Sequence, residues 1–175
     1  MHPNVHVNVH LVDRRFRHHL RPYLFQSLAA AAILFLVLAI QDVGTHAVII
    51  AAIASTTFIL FFMPHRSAAR PRKVLGGHGW GLVVGGTIAF IASSAMGQTF
   101  GEVAPYAFEL EAALAVGLTV LAMVATSTEH APAPGTALGL VVAPFQWGIM
   151  LFVIVSVGLL VLAHSLLRRW LRDLV

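Results

Sequence analysis

Apolar residues follow one another in six stretches, and short polar segments separate them. A bilayer core of about 30 Å requires about 20 helical residues, within a range of about 17–25. Three stretches are adequate spans, two are short, and one is too short to cross unaided. The stretches are Leu24–Ile40, Ala47–Met63, Gly76–Met96, Ala112–Ser127, Thr136–Ala143 and Phe145–Leu167. The pattern predicts an all-α fold, a polytopic bundle of transmembrane helices.

Composition supports a membrane protein and leaves no room for a separate soluble domain. Hydrophobic residues make up 58% of the 175 positions, charged residues only 10%, and the mean hydropathy is +0.85, whereas soluble domains carry about 25% charged residues. Cysteine is absent, which excludes disulfides and thiolate metal sites. We predict a cytosolic tail with an interfacial basic helix over 1–22, a transmembrane domain over 23–168 and a cytosolic tail over 169–175.

The cations predict the orientation in the membrane. They cluster at 14–21, 66–73 and 168–172, whereas the segments around Asp42 and 102–111 contain no Lys or Arg. Because Lys and Arg favour the cytoplasmic side, both termini should face the cytoplasm across an inner (plasma) membrane. Membrane lipids, and not nucleic acid, are the partners that this charge indicates.

Two cytoplasmic termini require an even number of crossings, which indicates about six. The sixth would be Pro132–Ala143, a short segment interrupted by prolines and glycines. Backbone that leaves a helix at membrane depth must be buried in protein or line a wet cavity. The broken segment therefore indicates a site.

An internal similarity suggests two related halves. Aligning Ala52–Pro64 with Pro132–Pro144 matches Thr56 to Thr136 and Pro64 to Pro144. Three crossings per half would place the second half upside down, in a 3+3 inverted repeat. Paired short or interrupted segments are typical of the substrate site of transporters.

The candidate substrate-binding residues lie on these interrupted segments and beside them. Histidines within a span are costly in lipid and should face the interior or a hydrated path, and hydroxyls and freed helix amides can donate hydrogen bonds to an anion. The candidates are Ser55, Thr56, His78, His130, Gly135 and Thr136. For the histidines the alternative is a packing or interface role, and for the hydroxyls it is bonding to their own helix carbonyls.

Cations precede the third apolar stretch. Arg70, Arg72 and Lys73 would form an electrostatic mouth that concentrates anions at the cytoplasmic side, or they would only set the topology. In the same stretch, Gly77, Gly81 and Gly85 repeat every four residues, which favours close approach of a neighbouring helix.

Other chemistry has little support in the sequence. His2, His6 and His10 share a four-residue spacing that could line one helix face with metal ligands. A mobile cytosolic tail is the favoured explanation, because termini are usually poorly ordered. The chain has neither the His-Glu-x-x-His spacing of zinc proteases nor a nucleophile elbow. We therefore expect no enzyme activity, no resident metal and no cofactor.

Two motifs resemble those of a known family. Residues 71–78, PRKVLGGH, resemble the P-R-N-V-I-G-G-H signature of the HPP family of integral membrane proteins, and residues 130–137, HAPAPGTA, resemble its H-P-P-A-G-A-T-A block. Ala54-Ser55-Thr56 lies where the family carries G-A-S. The chain departs from the family pattern at Lys73, Ala131 and Pro134-Gly135, so it resembles a divergent member over residues 25–167.

The resemblance implies a compact helical membrane protein, usually described with four spans, and plant plastid members are regarded as nitrite transporters. Together with the residues above, it leads us to expect a small transporter or channel for a small inorganic anion such as nitrite. A homo-oligomer is expected, because six short crossings enclose little volume. The alternative is a membrane scaffold or sensor accessory without a transported solute.

Overall fold

A computed structural model describes residues 20–39 and 47–175. The described chain forms seven α-helices and a short 3₁₀ helix, Ser67–Ala69, and it contains no strand. The α-helices are α1 Leu20–Ala39, α2 Ala47–Phe62, α3 Pro71–Ser93, α4 Ala95–Val103, α5 Ala107–Ala125, α6 Ala133–Val142 and α7 Trp147–Leu167. The predicted all-α helical bundle is confirmed.

The helices of the bundle fall into two groups by length. Among the described residues, α1, α3, α5 and α7 are long and apolar enough to cross a membrane, whereas α2 has 16 residues and α6 has 10. At 1.5 Å per residue α6 is about 15 Å long, half the thickness of a bilayer core. The count of six crossings and the inverted repeat remain predictions.

The shortest apolar helix lies in the middle of the bundle. Helix α6 packs along α3 and also contacts α2 and α5. On the other side of α2, apolar side chains of α2 and α7 form the main hydrophobic core, with Leu60 and Leu160 fully buried. The segment predicted to be a broken crossing is therefore an enclosed helix and not a surface loop.

Helices α3 and α5 begin well before the apolar stretches that predict them, Gly76–Met96 and Ala112–Ser127. Helix α3 begins at Pro71, since proline fits the first helical position, where its missing N–H costs nothing. Helix α5 begins at Ala107, with Glu109 in its first turn, where a carboxylate interacts favourably with the helix dipole. The short helix α4 lies in a region that the apolar pattern left as a connection.

The C-terminal segment 169–175 packs back onto the bundle. Gln26, fully buried on α1, donates hydrogen bonds to the Phe61 and Arg172 carbonyls and accepts one from the Arg172 N–H. Leu174 N–H donates to the Phe62 carbonyl at 3.0 Å. This segment ties α1 to the end of α2. The interfacial basic helix predicted within 1–22 lies mostly outside the described residues.

Candidate functional site

Two imidazoles and two hydroxyls meet at the centre of the bundle. Thr56 comes from α2, His78 from α3, Thr136 from α6 and His130 from the junction between α5 and α6. Each is at most 1% exposed. We call these four residues the His–Thr cluster. It brings together four of the six substrate-binding residues that the sequence predicts.

The two threonines bind opposite nitrogens of one imidazole. Thr56 Oγ1 lies 2.8 Å from His78 Nε2, and Thr136 Oγ1 lies 2.8 Å from His78 Nδ1. Thr56 Oγ1 also lies 3.2 Å from His130 Nε2. These two threonines are the pair that the internal alignment matches, and they flank His78 from the two short helices.

Glycines on α3 place His78 against α6. A Cβ added to Gly81 would lie 2.8 Å from the Ala133 carbonyl oxygen, and one added to Gly85 would lie 2.6 Å from Ala137 Cα. Such distances leave no room for a side chain, so the helices pack backbone to backbone, as the glycine spacing predicts. This close approach puts His78 within reach of Thr136.

A tight end to α5 places His130. Ser127 has φ 52°, and Ser127 N–H and Thr128 N–H donate to the Val124 and Met123 carbonyls. These two bonds form a Schellman motif, in which a left-handed residue, usually glycine, reverses the chain. The chain then enters α6 through Pro132, and His130 Nδ1 lies 3.1 Å from the Ala68 carbonyl oxygen.

Two predicted substrate-binding residues lie apart from the cluster. Ser55 is exposed on α2, one position away from Thr56 but on another face of the helix. Gly135 packs against Ala52, whose Cβ would lie 3.2 Å from a Cβ added at the glycine. Gly135 thus serves the packing of α6 on α2.

The site also includes the backbone carbonyls of Ala52 and Ala68. Bonding of a hydroxyl to its own helix is the expected alternative and is found at Ala52, whereas the Ala68 carbonyl was not anticipated. Thr56 Oγ1 lies 2.9 Å from the Ala52 carbonyl oxygen. Sequence gives no signal for Ala68, because any residue type supplies a carbonyl. The Ala52 contact is the ordinary bond of a helical threonine to the residue four positions earlier.

The predicted electrostatic mouth is close to the cluster but partly neutralised. Lys73 Nζ lies 2.8 Å from Glu129 Oε2, and Arg72 reaches the Thr126 carbonyl at 3.4 Å. Arg70 is exposed, and its backbone carbonyl accepts the first hydrogen bonds of α3. The hydrogen bond from Lys73 lowers the pKa of Glu129 below its usual value. The ion pair thus lies next to His130.

A crevice of about 320 Å³ lies between the two short helices, at the start of α2 and the end of α6. Ile49 and Gly139 border it, and they touch so closely that a Cβ on Gly139 would overlap Ile49. Gly139 is three residues beyond Thr136, about 4.5 Å along the helix axis. The contact of Ile49 with Gly139 therefore separates the crevice from the enclosed His–Thr cluster.

Among residues 20–39 and 47–175, no three His, Cys, Asp or Glu residues are grouped as metal ligands would be. His2, His6 and His10 lie outside the described residues. The cluster offers imidazole nitrogens and hydroxyls, which can donate hydrogen bonds and exchange protons.

The family model described as "HPP, transmembrane region" matches residues 12–173. A search of the curated proteins and a search of the solved structures each gave no match. The matched range includes every residue of the His–Thr cluster.

Proposed function

Because the chain belongs to the HPP family of transmembrane proteins, we propose that it is a small transporter or channel for a small inorganic anion such as nitrite. It would work in the inner (plasma) membrane with both termini in the cytoplasm. The observation that carries this proposal is the His–Thr cluster, enclosed where two short helices meet. Ionisable side chains at such positions in membrane proteins commonly mark substrate or proton pathways.

The chemistry of the cluster suits an anion that is bound transiently. Neutral imidazoles and hydroxyls donate hydrogen bonds without a fixed charge, so an anion could be bound and then released. A permanent cation in the same enclosed place would hold an anion much more tightly, because electrostatic attraction grows as the dielectric constant falls. The side chains that would face the bound anion are those of Thr56, His78, His130 and Thr136.

The path that we propose runs along the α2–α6 contact. The crevice at Ile49 and Gly139 provides one approach, and the beginning of α3, near Lys73, provides the other. Because all four cluster side chains are buried, passage requires α6 to move relative to α2 or α3. The structure would then correspond to a closed state.

A membrane scaffold without a solute is the second candidate. The polar groups of the His–Thr cluster already form hydrogen bonds with one another, so they can stabilise the bundle without a bound anion. The crevice between the short helices favours transport over this candidate, because a purely structural contact has no need of an open approach. We also propose that the protein forms a homo-oligomer within the lipid and has no nucleic-acid partner.

Flux measurements on reconstituted protein decide between these functions. Purified protein in liposomes is challenged in turn with nitrite, nitrate, formate and chloride, and empty liposomes give the background. Transport predicts flux above this background for at least one anion. No flux for any of the four, from protein that remains folded in the vesicles, would reject the proposal and favour the scaffold.

A further inference from the structure

The Ala68 carbonyl sets the direction of the hydrogen bonds in the His–Thr cluster. A carbonyl oxygen only accepts hydrogen bonds, so the 3.1 Å contact requires a proton on His130 Nδ1. In a neutral imidazole the other nitrogen is then an acceptor. His130 Nε2 can then receive a hydrogen bond from the Thr56 hydroxyl, 3.2 Å away, when that hydroxyl turns from the Ala52 carbonyl, its acceptor at 2.9 Å.

This assignment extends through the other three residues. The single Thr56 proton points either to Ala52 or to His130, so His78 donates from Nε2 to Thr56 Oγ1, at 2.8 Å. His78 Nδ1 is then an acceptor, and Thr136 donates to it at 2.8 Å. With the Thr56 hydroxyl turned to His130, all bonds run one way, from Thr136 through His78, Thr56 and His130 to Ala68. In the neutral state the two histidines are thus opposite tautomers.

The Thr56 hydroxyl also has a second acceptor within reach. Its oxygen lies 2.9 Å from the Ala52 carbonyl oxygen. If His130 Nε2 gains a proton, the Thr56 hydroxyl can turn to Ala52, and its two lone pairs then accept one hydrogen bond from each imidazole. Only hydroxyl rotation is needed, because every heavy atom is already in place.

His78 has no comparable arrangement. Among the hydrogen bonds of the described residues, Thr136 Oγ1 has one partner, His78 Nδ1. A proton added to that nitrogen would face the Thr136 hydroxyl proton without a prepared second acceptor. The geometry therefore favours His130 as the residue that takes up a proton.

The charges around the cluster allow one added proton and disfavour a second. The imidazole centroids lie 5.2 Å apart, so two imidazolium ions would repel one another in a low dielectric. Thr56, Thr136 and the Ala68 carbonyl, which face the rings from their other sides, are uncharged. In the described chain the nearby Lys73 and Glu129 pair with each other, and no ion pair involves either ring.

We propose that the cluster binds a monovalent anion together with one proton, held on His130 Nε2, so that each turnover carries no net charge. This inference rests on the proposed function. The proton comes from water on the side of entry and returns to water on the side of release, with no bond of the anion made or broken. A divalent anion would leave one charge uncompensated in an enclosed site, which is costly.

Nitrogen NMR of the full-length protein tests the first half of the inference. With ¹⁵N-labelled histidine in lipid, His78→Gln and His130→Gln assign the two signals. We expect an Nε2–H tautomer at His78 and an Nδ1–H tautomer at His130, and on acidification His130 should gain its second proton first. The same tautomer at both residues, or earlier protonation of His78, would overturn the proposal.

Paired flux measurements test the second half. Vesicles with an internal pH dye are challenged with nitrite, nitrate, formate or chloride, and sulfate is the divalent probe. We expect about one proton per monovalent anion, insensitivity to an imposed membrane potential, and at least tenfold slower flux of sulfate. Anion flux without protons would overturn this inference while leaving the proposed function intact.

Variants at position 56 test whether the Thr56 hydroxyl links protonation of His130 to anion flux. Thr56→Val removes the hydroxyl that turns and should reduce the proton-to-anion ratio at least twofold, whereas Thr56→Ser should retain a ratio near one. Ser55→Ala, an exposed neighbour on the same helix, is the matched control and should behave like the wild type. An unchanged ratio in folded Thr56→Val would refute the role of the hydroxyl. If no anion moves at all, the proposed function fails, and the NMR titration still decides whether His130 holds the proton.

Discussion

His130 and His164 are both buried histidines, and both bind the short connection between α2 and α3. His130 Nδ1 donates to the Ala68 carbonyl, and His164 Nε2 lies 3.2 Å from the Pro64 carbonyl oxygen. They differ at the second nitrogen. In His130 it meets the Thr56 hydroxyl, whereas in His164 it is buried without a partner among the described residues.

This difference shows that burial of a histidine in a membrane protein does not by itself indicate function. His164 makes one hydrogen bond, to the Pro64 carbonyl, which holds the α2–α3 connection against α7. The direction of this bond cannot reverse, because a carbonyl only accepts. His130 lies at the end of a chain of groups that can each donate or accept. We therefore propose transport chemistry only for the His–Thr cluster and a structural role for His164.

The largest effect on anion flux should come from removing the imidazoles of the His–Thr cluster. His78→Ala leaves the Thr136 hydroxyl without its hydrogen bond, and His130→Ala does the same to the Ala68 carbonyl. An unsatisfied buried polar group costs about 1–3 kcal/mol. Since 1.4 kcal/mol is about a factor of ten in affinity, we expect anion flux to fall about tenfold or more, with expression retained.

His164→Gln is the control, because its amide can still donate to the Pro64 carbonyl. It should lower thermal stability slightly while leaving the flux per folded molecule unchanged. If His164→Gln reduced flux as much as His130→Ala, the two histidines would not differ in the way that we infer.

The second effect, on stability, tests the packing that holds the cluster together. Gly85→Ala places a Cβ against the backbone of Ala137, so α3 and α6 must separate. Overpacking of this kind costs about 1–3 kcal/mol. We expect a lower melting temperature in detergent and reduced flux.

Gly79→Ala is the matched control on the same helix, since nothing lies within 4 Å of its added Cβ. Its melting temperature should equal or slightly exceed that of the wild type. A similar loss in both variants would mean that helix α3 is sensitive to any substitution, and that close packing against α6 is not the cause.

Much of this cluster could be predicted from the sequence, because its side chains are rare in apolar surroundings. Thr56, His78, His130 and Thr136 were singled out as polar residues at interrupted segments. Ser55 was included because it is a hydroxyl adjacent to Thr56. One residue of a helix turns the side chain by about 100°, however, and so takes Ser55 to an exposed face.

The remaining features depend on tertiary contacts. The Ala68 carbonyl belongs to a connection between helices, and only the folded chain brings it to His130. The neutralisation of Lys73 by Glu129 pairs residues far apart in sequence. Helix α4 has a mixed polar and apolar sequence, which the search for continuous apolar stretches does not detect.

A smaller effect on transport is expected from a substitution where the C-terminal segment packs on α1. Gln26→Ala leaves the Phe61 and Arg172 backbone groups without the hydrogen bonds that Gln26 supplies. We expect a loss of stability of about 1–3 kcal/mol and faster proteolysis within 169–175. The ratio of nitrite to chloride flux should stay the same, because the substitution is outside the cluster. A changed ratio would show that the C-terminal segment acts on the path.

The smallest effect should come from the exposed ion pair beside His130. Exposed pairs contribute little and are screened by salt, so Glu129→Gln should lower the melting temperature only slightly at neutral pH. The hydrogen bond from Lys73 lowers the pKa of Glu129 in the folded protein. The stabilisation is therefore present above the ordinary carboxyl range and is lost as the pH falls through the lowered pKa.

The difference in melting temperature between Glu129→Gln and the wild type should disappear on acidification and at high salt. Glu102→Gln, the same change at an exposed carboxylate for which the described residues supply no ion pair, is the control and should leave the melting temperature nearly unchanged at neutral pH. A pH-independent difference at Glu129 would mean that shape and not charge matters at this end of α3.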